Sequence, residues 1–190
     1  MSGDLIIVDL DDFTGSAPDL VRLLSLKAQI PGFRVTLFTI PGRISQARVK
    51  EVRENYDWID LVPHGLMHTD AHECEHWHHS AMRACLAHCN GWPYTRGFKA
   101  PGWLLSDACY EVLHEQGYWL ADQVYNRARR PSGMGIYELD APNKIHGHLG
   151  HLGGHNANEL EVLIPHLLGL RDREFGFVRD HVEKWQPTTL

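Results

Sequence analysis

The sequence contains no long hydrophobic run: no apolar stretch reaches the roughly 18 to 20 residues that a membrane-spanning helix requires. Its start has no basic region, and Asp9 interrupts the first apolar run, so the chain does not begin like a secreted protein. It also has no excess of positive charge, because its formal net charge is -6, and this argues against general nucleic-acid binding. We therefore predict a cytoplasmic protein whose partners include neither a membrane nor a nucleic acid.

Cysteine is scarce, with four residues and no CxxC pair, so free thiols are expected in a chain without a leader. Three of the cysteines lie among histidines between residues 72 and 89, with a spacing that fits no common zinc module. A second, structural metal site in this segment is left open. Its candidate ligands are Cys74, Cys85, Cys89, His76, His78, His79 and His88.

Histidine, in contrast, is abundant, with 14 residues that are not evenly distributed. Seven lie between His64 and His88, and four lie between His146 and His155. Clustered imidazoles with carboxylates nearby are typical of a metal site or an acid–base site.

Short apolar segments alternate with helical patterns along the chain, and the overall composition (43% hydrophobic, 22% charged) is typical of a globular protein. We expect residues 1–190 to form a single domain of parallel βα units, either a barrel or an open sheet. In both architectures, functional groups gather at the carboxyl ends of the strands. The predicted strands are 5–10, 34–40, 59–62, 96–99, 118–121, 143–148 and 175–178. The predicted helices are 16–30, 45–54, 72–89, 106–117 and 158–170, and a loop is expected over 127–135.

Three groups of polar residues follow predicted strands. They are the pair Asp11-Asp12, the pair His64 and His68, and the pair His146 and His148. Two histidines and one carboxylate match the ligand set of a hydrolytic zinc site, a second carboxylate could activate the bound water, and another histidine could protonate the leaving group. Each pair alone has a simpler interpretation as a cap, as surface histidines or as hydrogen-bonded core residues. Their combination and order favour a site.

These motifs resemble the polysaccharide deacetylases of carbohydrate esterase family 4, the NodB-homology domain. The resemblance covers about residues 5 to 180 and rests on motif order. The matching segments are Asp9-Leu10-Asp11-Asp12, Thr36–Pro41, His64–His68, Gly97–Trp103, Ile145–His148 and Phe175–Val178.

The resemblance implies a distorted, reduced (β/α) barrel of the NodB-homology type and a divalent metal, usually zinc. It implies that Asp12, His64 and His68 bind the metal and that Asp11 is the catalytic base. Lys99 stands where an arginine usually holds the base. A backbone N–H near Trp103 would stabilise the oxyanion, with Trp103 and Pro101 contacting substrate, and Asp122 is the nearest candidate for the family's fourth motif.

We therefore expect a metal-dependent deacetylase that acts on an N-acetylated sugar or polysaccharide. Either late histidine could be the acid. His148 is favoured because it lies nearer the carboxyl end of its strand and has glycines beside it, whereas His146 is expected one layer deeper, orienting a partner. Three tryptophans, Trp92, Trp103 and Trp119, could stack on sugar faces or be packing residues.

Two alternatives remain at this point. One is a non-catalytic metal- or carbohydrate-binding protein on the same fold, which an intact Asp11 argues against because a binder needs no base. The other is an ester or C–N hydrolase that acts on a small molecule.

Overall fold

Parallel strands connected by helices make up most of the molecule. The computed structural model describes residues 5–149 and 159–186. The strands are β1 (Ile6–Phe13), β2 (Val35–Thr39), β3 (Ile59–Pro63), β4 (Gly97–Lys99), β5 (Trp119–Asp122), β6 (Gly135–Glu138), β7 (Lys144–His148), β8 (Phe175–Gly176) and β9 (Glu183–Lys184). The helices are α1 (Ala17–Gln29), α2 (Gln46–Asn55), α3 (His79–Cys89), α4 (Asp107–Glu115) and α5 (Leu160–Gly169).

The strands form two sheets that meet edge to edge. The first has the order β3-β2-β1-β7, with β8 pairing with the start of β1, and the second has the order β4-β5-β6-β9. A parallel bridge between His64 and Lys99 joins the two sheets at the ends of β3 and β4. Only β9 pairs antiparallel, among the strands of the described ranges. This arrangement confirms the predicted α/β class built from parallel βα units.

The alternation of side chains along β1 separates two layers. Its residues Ile6, Val8 and Leu10 pack outward into the apolar cluster that contains helix α1. Ile7 faces inward, where it packs with Phe38 of β2 and Tyr137 of β6. Asp9 and Asp11 continue the inward row above Ile7, so an apolar floor lies beneath the two carboxylates.

Four elements, α3, β6, β8 and β9, differ from the sequence-based expectation. The helix predicted over 72–89 is wrong for its first seven residues, because α3 begins only at His79. The carbonyl of Cys74 accepts from the Ser106 N–H and that of Trp77 accepts from the Ser106 hydroxyl, so these groups bond to a distant loop instead of to the next helical turn. The strands β6 and β9 were not predicted, and the last predicted strand is shortened to β8.

The cysteines of residues 72–89 are buried, whereas the histidines of this segment are exposed. Cys74, Cys85, Cys89 and Cys109 are free and buried, the first two in a cluster with Met82. The groups of potential metal ligands in the described part of the chain include none of them. His151 and His155 lie outside the described residues. Across the described ranges, no helix combines the length and the apolar character needed to cross a bilayer.

Candidate active site

A distortion at the end of β1 brings two consecutive carboxylates to one place. Neighbouring strand residues normally point to opposite faces. Here the pairing of β1 with β2 shifts its register between Leu10 and Phe13, and Asp12 has a φ of 69°. Such a φ is strained for a residue other than glycine and is frequent at functional sites. Both carboxylates therefore reach His64: its Nε2 lies 3.7 Å from Asp11 Oδ2 and 3.8 Å from Asp12 Oδ1.

Asp12, His64 and His68 form a group with the composition of a metal site. Their potential ligand atoms all lie within 4.8 Å of one another, and Asp12 Oδ1 is 3.4 Å from His68 Nε2. Asp12 Oδ1 is buried and has no hydrogen-bond partner in the described structure. A buried carboxylate oxygen without a partner is costly unless a cation compensates it. The donors fit a divalent ion such as zinc, which prefers imidazole and carboxylate ligands with one position open.

The orientation of His64 suits metal binding. Its Nδ1 lies 3.1 Å from the Lys99 carbonyl, and because a carbonyl only accepts, Nδ1 carries the proton. The lone pair of Nε2 then faces Asp12, the arrangement usual for metal-binding histidines. Burial lowers the pKa of His64 to about 3, so the ring is neutral near pH 7.

Glu73 holds the loop that carries His68, a role that sequence reasoning missed. Its carboxylate accepts from the backbone N–H groups of Leu66, Met67 and His68 at 3.1, 2.8 and 3.0 Å. Gly65 leaves room for this carboxylate: its φ is 62°, and a Cβ there would lie 2.3 Å from Glu73 Oε2. The sequence offers no local signature for this contact beyond a glycine and a glutamate in one polar loop.

Lys99 occupies the centre of the site and is fully buried. Its Nζ lies 2.6 Å from Asp11 Oδ1 and 3.2 Å from Asp9 Oδ2. The ammonium also lies over the rings of Phe38 and Trp103, 4.6 and 4.0 Å from their centroids. These aromatic faces stabilise the cation and exclude water from it.

The adjacent carboxylates Asp11 and Asp12 have opposite pKa shifts. Burial opposes ionisation of Asp11, but the charges of Lys99 and the surrounding histidines outweigh it and hold its pKa well below the usual range. Burial, and next the charge of Asp11, raise the pKa of Asp12 to about 7. Without a metal, Asp11 is thus the permanent anion and Asp12 exchanges its proton near neutral pH.

Strand β7 places the late histidines beside β1 in register. His146 is opposite Asp9 and His148 is opposite Asp11, so His148 is one layer nearer the mouth. His146 Nδ1 lies 2.7 Å from Asp9 Oδ2, and the Nε2 atoms of His146 and His148 lie 3.9 and 4.0 Å from Asp11 Oδ2. Burial lowers the pKa of His148. Asp9 was predicted only as part of a motif, and its bonds to Lys99 and His146 were missed.

Trp103 borders the site on the side of β4. Its ring packs edge-on against His146, with centroids 5.6 Å apart. Its N–H donates to the Ala100 carbonyl at 3.0 Å, so this amide is engaged inside the turn that contains the buried Pro101. In a 3₁₀ turn the first amides lack such partners, which leaves the Gly102 N–H as the nearest candidate for an oxyanion donor.

Other predicted residues lie elsewhere. Asp122 accepts from Tyr110, Asn126 and Arg130, and Asn126 in turn donates to the Trp103 carbonyl, so Asp122 holds a supporting loop. Of the three tryptophans that could stack on a sugar or serve in packing, Trp92 and Trp119 lie away from the site and are packing residues. Trp119 begins β5 at the opposite end of the strand, and Trp92 stacks on Tyr94 against the outer apolar core.

Solved structures of carbohydrate esterase family 4 have the same fold. The Xyl-CE4 domain of a multidomain xylanase from the hindgut metagenome of Trinervitermes trinervoides aligns with a TM-score of 0.59 and 14% identity, covering 93% of this chain and 88% of that domain. A family 4 acetyl xylan esterase from Clostridium thermocellum, in complex with a cobalt ion, aligns with a TM-score of 0.62 and 12% identity, covering 93% and 89%.

A CE4 family pseudoenzyme from Bacillus anthracis aligns with a TM-score of 0.57 and 12% identity, covering 93% of this chain and 64% of that one. No protein-family model matches the sequence, and the curated proteins give no significant match. At these identities the likeness establishes the fold, so function must be argued from the site.

We expect Lys99→Met to destabilise the protein by about 3–5 kcal/mol, because it leaves two buried carboxylates without their cation. The measurement is the free energy of unfolding in urea. Lys50→Met is the matched control, since the exposed Lys50–Glu54 pair should contribute less than about 1 kcal/mol. A loss below about 1 kcal/mol for Lys99→Met would contradict the assigned role of the buried ion pair.

We also expect metal affinity to depend on the protonation of Asp12. Below about pH 7 a proton competes with the metal for this carboxylate, so affinity should fall about tenfold per pH unit, and it should level off above that pH. The neutral His64 adds no dependence in this range. Competition for Zn²⁺ against a chromophoric chelator measures the effect, and equal affinity at about pH 5.5 and 8 would contradict it.

Proposed function

We propose that the protein is a metal-dependent hydrolase that removes acetyl groups from an N-acetylated sugar or polysaccharide. The observation that carries this proposal is that the neighbouring carboxylates Asp11 and Asp12 have different surroundings, which suit them to different roles. Asp12 faces two imidazoles as a metal ligand would, whereas Asp11, next to it, is ionised and fixed by Lys99. A ligand and a base in direct contact are what hydrolysis by an activated water requires.

The metal would be held by Asp12, His64 and His68. When bound there, a divalent ion polarises the acetyl carbonyl and lowers the pKa of a coordinated water. The cobalt complex of the Clostridium thermocellum esterase supports a divalent ion on this fold. Zinc is the metal that the ligand set fits best.

Asp11 is the general base in this proposal. Lys99 bonds to its Oδ1, so the opposite oxygen, Oδ2, faces the histidines and remains available for a proton. Lys99 acts here as a point charge and lacks the two-pronged geometry of a guanidinium. The aromatic rings around Nζ and the bond to Asp9 restrict it instead.

His148 protonates the departing amine. It shares a layer with Asp11, and its lowered pKa makes the protonated ring a good proton donor. His146, one layer deeper, is tied to Asp9 and orients the inner carboxylates. Trp103 and Pro101 form the neighbouring wall, with the Trp103 ring available to a sugar face.

Two alternatives can be weighed on observations. The pseudoenzyme neighbour means that the fold alone does not imply turnover. The ionised Asp11 beside the ligand group favours catalysis, since a binding protein needs no positioned base. The acetyl xylan esterase neighbour favours an O-acetyl ester as the alternative substrate, and a panel with both linkages separates the two.

The central test is acetate release from N-acetylated oligosaccharides and from acetylated xylan, with and without a chelator. Asp11→Asn should lower turnover by about 10² to 10⁴ while metal content is retained. Asp12→Asn is the matched control and should lose both metal and activity. Near wild-type turnover by Asp11→Asn would remove Asp11 from the role of base, and release only from xylan would favour the esterase.

The two late histidines should differ in their effects. With one equivalent of metal bound, we expect His148→Ala to lose about 10²-fold or more in turnover, as for loss of a general acid, and His146→Ala to lose much less. Metal content at the first site is measured in parallel and should be unchanged in both. If His146→Ala is the more damaging variant, the acid is His146 and His148 is a residue of the rim.

A further inference from the structure

Asp11, His146 and His148 form a second group of potential ligands. Each offers one ligand atom, and the three atoms lie within 4.8 Å of one another. Asp11 Oδ2 is 3.9 Å from His146 Nε2 and 4.0 Å from His148 Nε2. In a tetrahedral zinc site with bonds of about 2.0 Å, ligand atoms lie about 3.3 Å apart, so these two contacts would have to shorten by about 0.6–0.7 Å.

The surroundings of His146 independently indicate that this side chain can serve as a metal ligand. Its Nδ1 lies 2.7 Å from Asp9 Oδ2 and 3.3 Å from Lys99 Nζ. The contact with the carboxylate is the shorter of the two, and because a carboxylate only accepts, Nδ1 carries the proton and Nε2 is left with a lone pair. A carboxylate behind the distal nitrogen is the usual support of a metal-binding histidine. His64 has the corresponding support from the Lys99 carbonyl.

We propose that Asp11, His146 and His148 bind a second divalent ion next to the position of Asp12, His64 and His68. The Asp11 carboxylate lies between the two positions, because its Oδ2 is also 3.7 Å from His64 Nε2. Paired sites of this kind share a ligand and place two ions about 3.5–4 Å apart.

The second position binds more weakly than the first. The Lys99 ammonium is 2.6 Å from Asp11 Oδ1 and repels a cation there. His148 Nδ1 is buried and has no hydrogen-bond partner in the described structure, so no hydrogen bond behind the ring orients it for binding. These disadvantages are smaller at the first position, because His64 is anchored there by the hydrogen bond of its Nδ1.

The consequence for activity rests on the proposed function. A second ion would occupy the base Asp11 and the acid His148 together. One equivalent of metal should therefore activate the enzyme, and an excess should inhibit it. Binding of the second ion does not depend on the reaction, so it can be measured without any substrate present.

The test is titration of the metal-free protein with Co²⁺, in which binding is monitored by calorimetry and by visible absorption. Wild type should bind two equivalents in two steps. His148→Gln and His146→Gln should each lose the weaker step and keep the tighter one, whereas His68→Gln should lose the tighter step. His76→Gln, at a side chain that is 85% exposed, is the control and should match wild type.

Asp9→Asn is the sharpest variant, because Asp9 is not itself a ligand. It should weaken the second step by about 10- to 100-fold, as expected for loss of a supporting carboxylate, and weaken the first step much less, because Asp9 supports the first position only through Lys99. A single equivalent in wild type overturns the proposal, as does a second step that survives in both His146→Gln and His148→Gln. Two-step binding without any acetate release would leave this proposal standing and count against the proposed hydrolase.

Discussion

The burial of the Lys99 ammonium between Asp9 and Asp11 is the interaction on which the site depends. A charge removed from water is stable only when it is paired, and here two carboxylates of one strand pair with a single cation of another. The same residue acts through its backbone, since its carbonyl accepts from His64. One lysine therefore positions the proposed base with its side chain and a proposed metal ligand with its main chain, and it links the two sheets at their common edge.

The charges of the centre explain why a cation belongs there. When Asp12 is ionised, as a metal ligand must be, the three carboxylates Asp9, Asp11 and Asp12 and the one ammonium give the cluster, with neutral imidazoles, an excess of two negative charges. An excess of that size in a buried region matches one divalent ion. A second ion would bring an excess of positive charge, which agrees with the weaker affinity inferred for it.

Much of the fold followed from local patterns. The helices predicted over 16–30, 45–54 and 106–117 start at Ser16, Ser45 and Ser106, and in the structure each of these side chains accepts a backbone N–H at the start of its helix. Strand β1 was readable from its apolar run. The short strand β6 and the start of α3 were not, because they are determined by contacts with distant segments.

The site was predictable to the extent that its motifs are contiguous. The pairs Asp11-Asp12 and His64–His68 could be read in order along the chain, and the structure brings them together. The bond from Asp9 to His146 joins residues 137 positions apart, and no local pattern reports it. The shift of register that turns both carboxylates inward is likewise a property of the pairing between β1 and β2.

The three hydrogen bonds that the Glu73 carboxylate accepts from backbone N–H groups have a consequence for how the site is assembled. The loop of residues 66–68 is held by protein groups, so its conformation does not require the ion. Small zinc modules are unfolded without their metal because the ion supplies the folding energy. Here the proposed ligands are arranged on a framework with its own apolar core, so an ion bound there would meet a preorganised cage and little chain entropy would be lost on its arrival. Removal of the ion and folding of the chain are thereby largely independent events.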